Sequence, residues 1–87
     1  MAGIRDARQL GAHLRAARQK AGLTQQQLAA EAGISRPTLR QLEAGHPTGE
    51  LGKALAVVGA LGLELHLGPA SAATFDLDAL DSQTAPL

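Results

Sequence analysis

Within four residues, Ala32-Gly33-Ile34-Ser35, this chain both ends one helix and begins another. Gly33 can take the positive φ that closes a helix, Ser35 is an N-cap residue, and Ile34 is placed to staple onto Leu39 across the new first turn. Pro37 sits in that first turn, where its missing N–H costs nothing. A helix-turn-helix needs two helices crossing at a steep angle over a tight turn, although two short helices joined by a glycine turn also occur in many helical bundles.

The signals on either side fix the lengths of both helices. Upstream, Thr24 is an N-cap with Gln27 three residues on, the spacing of a capping box, and Leu23 and Leu28 occupy the staple positions. One helix is therefore expected from Gln25 to about Ala32, and the next from about Arg36 to Ala44, ending at Gly45. Leu28, Ala29, Ala32, Ile34, Leu39 and Leu42 supply the small and apolar positions that a helix-turn-helix needs on its inner side.

The remaining periodicity adds elements around this pair. Leu10, Leu14, Ala17 and Ala21 recur at helical spacing, which predicts a first helix from about Ala7 to Ala21, stopped at Gly22. After the loop from His46 to Gly49, a fourth helix is expected from Glu50 to Leu61, with Leu51, Leu55, Val58 and Leu61 as its apolar stripe. Gly52 and Gly59 weaken it by roughly 1 kcal/mol each relative to alanine unless close packing uses them. Leu63-Glu64-Leu65-His66-Leu67 then alternates strictly, the period of a half-buried strand. A lone strand leaves both edges unpaired, and the simplest partner is the same strand of a second copy. From Gly68-Pro69 onward the composition turns to Ala, Ser, Thr and Asp, so residues 69–87 are expected to form a flexible acidic tail behind a single domain of residues 1–68. In the tail, Phe75, Leu77 and Leu80 could serve as a short docking motif.

Composition narrows the function. The only aromatic residue among 87 is Phe75, so a core must be built from aliphatic side chains, which favours packed helices. No cysteine is present, which removes disulfides, thiolate metal sites and a cysteine nucleophile together. His13, His46 and His66 lack metal-ligand spacing, and neither a Ser/His/Asp arrangement nor a phosphate-binding loop is evident, so no cofactor, metal or enzymatic activity is expected. Nothing resembles a secretory leader or a membrane span, and a cytoplasmic protein is expected. The net charge is zero, yet residues 1–43 hold seven basic side chains against three acidic ones, and the remainder holds one against five. This asymmetry suits a basic face for an anionic polymer and an acidic part that faces elsewhere.

Gly22-Leu23-Thr24-Gln25, Leu28-Ala29, Ala32-Gly33-Ile34-Ser35, Thr38-Leu39 and Leu42-Glu43-Ala44-Gly45 resemble the phage-repressor (Cro/C1, or Xre) helix-turn-helix family over about residues 8–62. The resemblance implies an all-α fold of four to five helices that binds operator DNA as a dimer. Leu42-Glu43-Ala44-Gly45-His46-Pro47-Thr48, Leu51-Gly52-Lys53 and the stretch from Val57 to Leu67 further resemble the HipB-like antitoxins. In that group one strand pairs across the homodimer, and the protein binds a HipA-like kinase toxin and represses its own operon. A stand-alone phage or plasmid repressor, and a module that binds only protein, are the alternatives.

Site residues follow from geometry and resemblance together. The start of the second helix of the motif enters the major groove, placing Ser35, Arg36 and Pro37 nearest the base edges, with Arg40 and Gln41 one turn later. Arg36 is the first choice for a base-specific contact, because an arginine fork matches guanine O6 and N7. Gln25, at a helix N-terminus and by resemblance a backbone clamp, is assigned to phosphate, with Gln26, Thr38, Lys20 and Thr48 as further candidates. The resemblance also implies that Arg18 and Glu43 form a structural ion pair. Leu63, Glu64, Leu65, His66 and Leu67 are the expected dimer strand.

Overall fold

The capping chemistry written into the sequence is realised at three of four helix starts in the computed structural model, which describes residues 3–46 and 49–70. Helix α1 spans Ala7–Lys20, α2 Gln25–Ala32, α3 Arg36–Glu43 and α4 Leu51–Ala60. Asp6 caps α1 by accepting from the Gln9 N–H at 2.7 Å. The capping box of α2 is complete: Thr24 Oγ1 accepts from the Gln27 N–H at 3.0 Å, and Gln27 Oε1 accepts from the Thr24 N–H at 2.9 Å. Ser35 caps α3 by accepting from the Thr38 N–H at 3.2 Å. Glu50, before α4, makes no side-chain cap. Gly33, in the turn between α2 and α3, has φ 74°, which a side chain would strain.

Four helices contribute to one aliphatic core. Leu14 of α1, Leu28 and Ala29 of α2, Leu39 and Leu42 of α3, and Ala54, Val57 and Val58 of α4 are all buried. Leu28, Leu39 and Val57, one from each of the last three helices, are fully enclosed. Each such side chain contributes about 1.5–3 kcal/mol relative to an exposed position. Leu23 and Ile34, the two staple residues, are partly buried against this core, which ties the cap geometry to the packing.

Helices α1 and α3 approach closely because Gly11 has no side chain. A Cβ there would stand 2.6 Å from the Glu43 carbonyl oxygen and closer still to that of Leu42. Gly11 is buried in the contact.

Helix α4 departs from the expected stripe. Val58 is buried and Leu61 partly so, but Leu51 and Leu55 are 70% and 45% exposed, while Ala54 and Val57 turn inward instead. The helix therefore has two apolar faces, and only one meets the core. Gly52 and Gly59 have open space where a Cβ would be, so close packing within this chain does not use them.

Beyond α4 the Leu63 N–H bonds the Val58 carbonyl at 3.0 Å, and the backbone then runs without regular structure to Ala70. No strand occurs among the described residues, so the strand expected at Leu63 to Leu67 is not formed within the single chain. Its side chains do keep a two-residue period: Glu64 and His66 share a face, with Oε2 and Nε2 2.9 Å apart. Thr48 and residues 71–87, the greater part of the expected tail, lie outside the described residues.

Candidate nucleic-acid interface

The centre of the site is a buried ion pair. Arg18 Nε donates to Glu43 Oε2 at 2.7 Å and Arg18 Nη2 to Glu43 Oε1 at 3.2 Å, with side-chain exposures of 11% and 3%. A third donor, Arg18 Nη1, reaches the Leu23 carbonyl at 2.9 Å. One guanidinium thus fastens the last turn of α1 to the end of α3 and to the loop before α2. A buried carboxylate is tolerable only with such partners.

Glu43 also accepts from Gln25 Nε2 at 3.1 Å. The first side chain of α2 is thereby turned toward α3 and held half-buried. The N–H groups of Gln25 and Gln26 lie in the first turn of α2, where a helix supplies no carbonyl partner, and so suit an anion.

Around this network opens a cleft of about 780 Å³ whose lining includes Gln25 and Gln26 of α2, Arg36 and Arg40 of α3, and Arg15 of α1. Arg36 and Arg40 are one turn apart and exposed, and among the described residues neither forms an ion pair. The fold therefore brings together two of the five expected base-contact residues with two of the five expected phosphate-contact residues.

The other expected residues are placed differently. Ser35 and Pro37 are exposed at the start of α3, but the Ser35 hydroxyl is occupied by the cap and lies 2.7 Å from Thr38 Oγ1, which limits what it can offer a base. Thr38 and Gln41 line a smaller groove of about 100 Å³ with Lys53 and Glu50 of α4. Lys20 is exposed at the end of α1 and outside the lining of both grooves. Arg15 and Lys53 were not assigned from sequence, because neither lies in the two helices whose spacing identifies the motif. Only the periodicity of α1, which sets Arg15 one turn before Arg18, could have pointed to the first of them.

Among the described residues, no group of three His, Cys, Asp or Glu side chains is placed to hold a metal ion, and no helix is long and apolar enough to cross a membrane.

Comparison with known proteins matches this geometry. A family model described as helix-turn-helix covers residues 14–65. An uncharacterized HTH-type transcriptional regulator, y4mF, of Sinorhizobium fredii is 38% identical over 58 residues, spanning 67% of this chain and 76% of that protein. Among solved structures, the protein in a HipB–O4 20mer complex superposes with a TM-score of 0.75 at 27% identity, covering 80% of this chain and 99% of that one. A HipA–HipB–O2–O3 complex contains a chain that superposes with a TM-score of 0.73 at 27% identity, over 79% and 97% of the two chains. With its capped helix pair, its arginine-lined cleft and a family match across more than half its length, this chain belongs to the Xre-like helix-turn-helix family of transcriptional regulators.

Proposed function

We propose that this protein is a homodimeric, sequence-specific repressor of the HipB-like antitoxin type, which binds its own operator and a HipA-like kinase toxin in the cytoplasm. The observation that carries the DNA half is the exposed face of α3, with Arg36 and Arg40 unpaired beside the first turn of α2. Arg36 reads a guanine edge, Arg40 and Gln41 follow one turn later, and Ser35 and Pro37 shape the approach. Gln25 and Gln26 hold phosphate, with Thr38, Lys20 and Thr48 at the margins.

The second face of α4 supports the dimer. Leu51 and Leu55 lie one turn apart and exposed, and Leu63 and Leu65 are about half exposed on an extended segment whose other side carries the Glu64–His66 pair. Gly59 continues the line of Leu51 and Leu55 with open space above it. In a second copy the same residues cover these leucines, and the segment from Leu63 to Leu67 gains the strand partner it lacks. The antitoxin assignment rests on likeness over nearly the whole length of proteins seen in a HipB–O4 20mer complex and a HipA–HipB–O2–O3 complex. No catalytic activity is proposed.

Binding of the full chain to the DNA upstream of its own gene, measured at several salt concentrations, tests the first half. A repressor prefers its operator by orders of magnitude over unrelated duplex, and a lack of preference at every salt concentration would sink the reading. Co-purification with a HipA-like kinase encoded beside it tests the second half. If no such neighbour exists, the stand-alone repressor replaces the antitoxin while the DNA side is unchanged.

A further inference from the structure

We infer that Arg15, on α1 and outside the helix-turn-helix, is a third phosphate clamp of the same cleft, and that it adds affinity without reading sequence. The inference rests on the DNA-binding reading above.

Arg15 and Arg18 lie one turn apart on α1, and both line the cleft. Their fates differ. Arg18 is neutralised by Glu43 and has donors on both Glu43 oxygens and on the Leu23 carbonyl. Arg15 is exposed and, among the described residues, has neither an ion pair nor a hydrogen bond from its side chain. The single carboxylate in the cleft wall, Glu43, is already taken by Arg18 and Gln25. Arg15, Arg36 and Arg40 thus face one open space as three uncompensated guanidinium groups, carried by two helices. Nothing in the wall balances them, and gathering like charges is unfavourable unless an anion enters. A polyanion satisfies all three at once.

The position of Arg15 separates its role from that of Arg36. The start of α3 enters the groove, so its side chains meet base edges, whereas α1 packs behind it against the C-terminal end of α3. An arginine on α1 is therefore placed for the strand that borders the groove. Such a contact fixes register and orientation and carries no sequence information.

The test compares the full-length wild type with Arg15→Gln and Arg15→Lys on the upstream DNA and on an unrelated duplex, across a salt series. Thermal melting of all three should coincide, because the Arg15 side chain makes no hydrogen bond or ion pair among the described residues. Arg15→Gln should weaken binding to both duplexes by about tenfold and lower the slope of log K against log salt by about 0.9 for each phosphate released. The ratio between the two duplexes should stay the same, and Arg15→Lys should keep most of the slope, since a point charge suffices for a phosphate. An unchanged slope for Arg15→Gln, or a changed ratio between the two duplexes, overturns the inference. If the wild type prefers no sequence but Arg15→Gln still lowers the slope, the repressor reading falls and the clamp stands.

Discussion

Arg18 and Glu43 meet at two points, 2.7 and 3.2 Å apart, across the junction of α1 and α3, and Glu43 is the only charged residue buried among those described. The pair does not act alone, because Gln25 shares the same carboxylate. A purely structural tie thereby also sets the side chain that opens α2.

Breaking this pair should be costly. Glu43→Ala leaves the Arg18 guanidinium in a site 11% exposed with only the Leu23 carbonyl as partner. The expected loss is about 3–5 kcal/mol in urea unfolding, the range for a stranded buried charge. A loss below about 1 kcal/mol, the scale of surface pairs, would show that water reaches the pair freely.

Gly11→Ala should also destabilise, against the preference of helices for alanine. The added methyl would press on the carbonyls of Leu42 and Glu43, both backbone atoms that no rotamer change can move. Overpacking of this kind costs about 1–3 kcal/mol, which exceeds the gain of about 1 kcal/mol in helix propensity. Thermal melting should show a lower midpoint. A higher one would mean that α1 and α3 sit further apart.

These two sites mark the boundary of what the chain shows before it is folded. The helix starts were legible because a cap is local: Thr24 with Gln27, and Ser35 before Pro37, declare themselves within four residues. Gly11 was not, since its importance depends on the carbonyls of Leu42 and Glu43, far along the chain. The stripe of α4 was misread for a related reason. Leu51, Leu55, Val57, Val58 and Leu61 wrap more than one face, and it is the packing of α4 on α2 that decides that Val57 with Ala54 goes inward while the first two leucines stay outside. In the cleft, Arg36 and Arg40 could be placed from the motif, but Arg15 required knowing where α1 ends up.

The outward leucines lead to a prediction about assembly. Leu55→Glu combined with Leu65→Glu should leave helical content intact, since both side chains are about half exposed in the single chain, at 45% and 46%. On the proposed dimer, sedimentation at micromolar concentration should show a dimer for the wild type and a monomer for the double variant, because each glutamate would be buried unpaired in the shared face. Operator affinity should fall steeply with it, as two half-sites can no longer be held by one particle. A double variant that still sediments as a dimer would remove this face from the assembly.

The division of labour within the interface can be read from a pair of substitutions. Arg36 is exposed and makes no ion pair among the described residues, so Arg36→Ala should leave thermal stability within about 0.5 kcal/mol of the wild type. Its loss should appear as relaxed preference at one base pair of each half-site, about 1–3 kcal/mol of discrimination against the wrong base. Gln25→Ala should behave in the opposite way on both counts. It removes the 3.1 Å hydrogen bond to buried Glu43, so the melting midpoint should drop by the equivalent of about 1 kcal/mol. On DNA it should weaken all sequences alike, because a phosphate clamp is blind to the bases it spans. Competition binding with single-base operator variants separates the two patterns. If Gln25→Ala altered base preference while Arg36→Ala lowered every affinity equally, α3 would be lying along the backbone and α2 would be the helix in the groove.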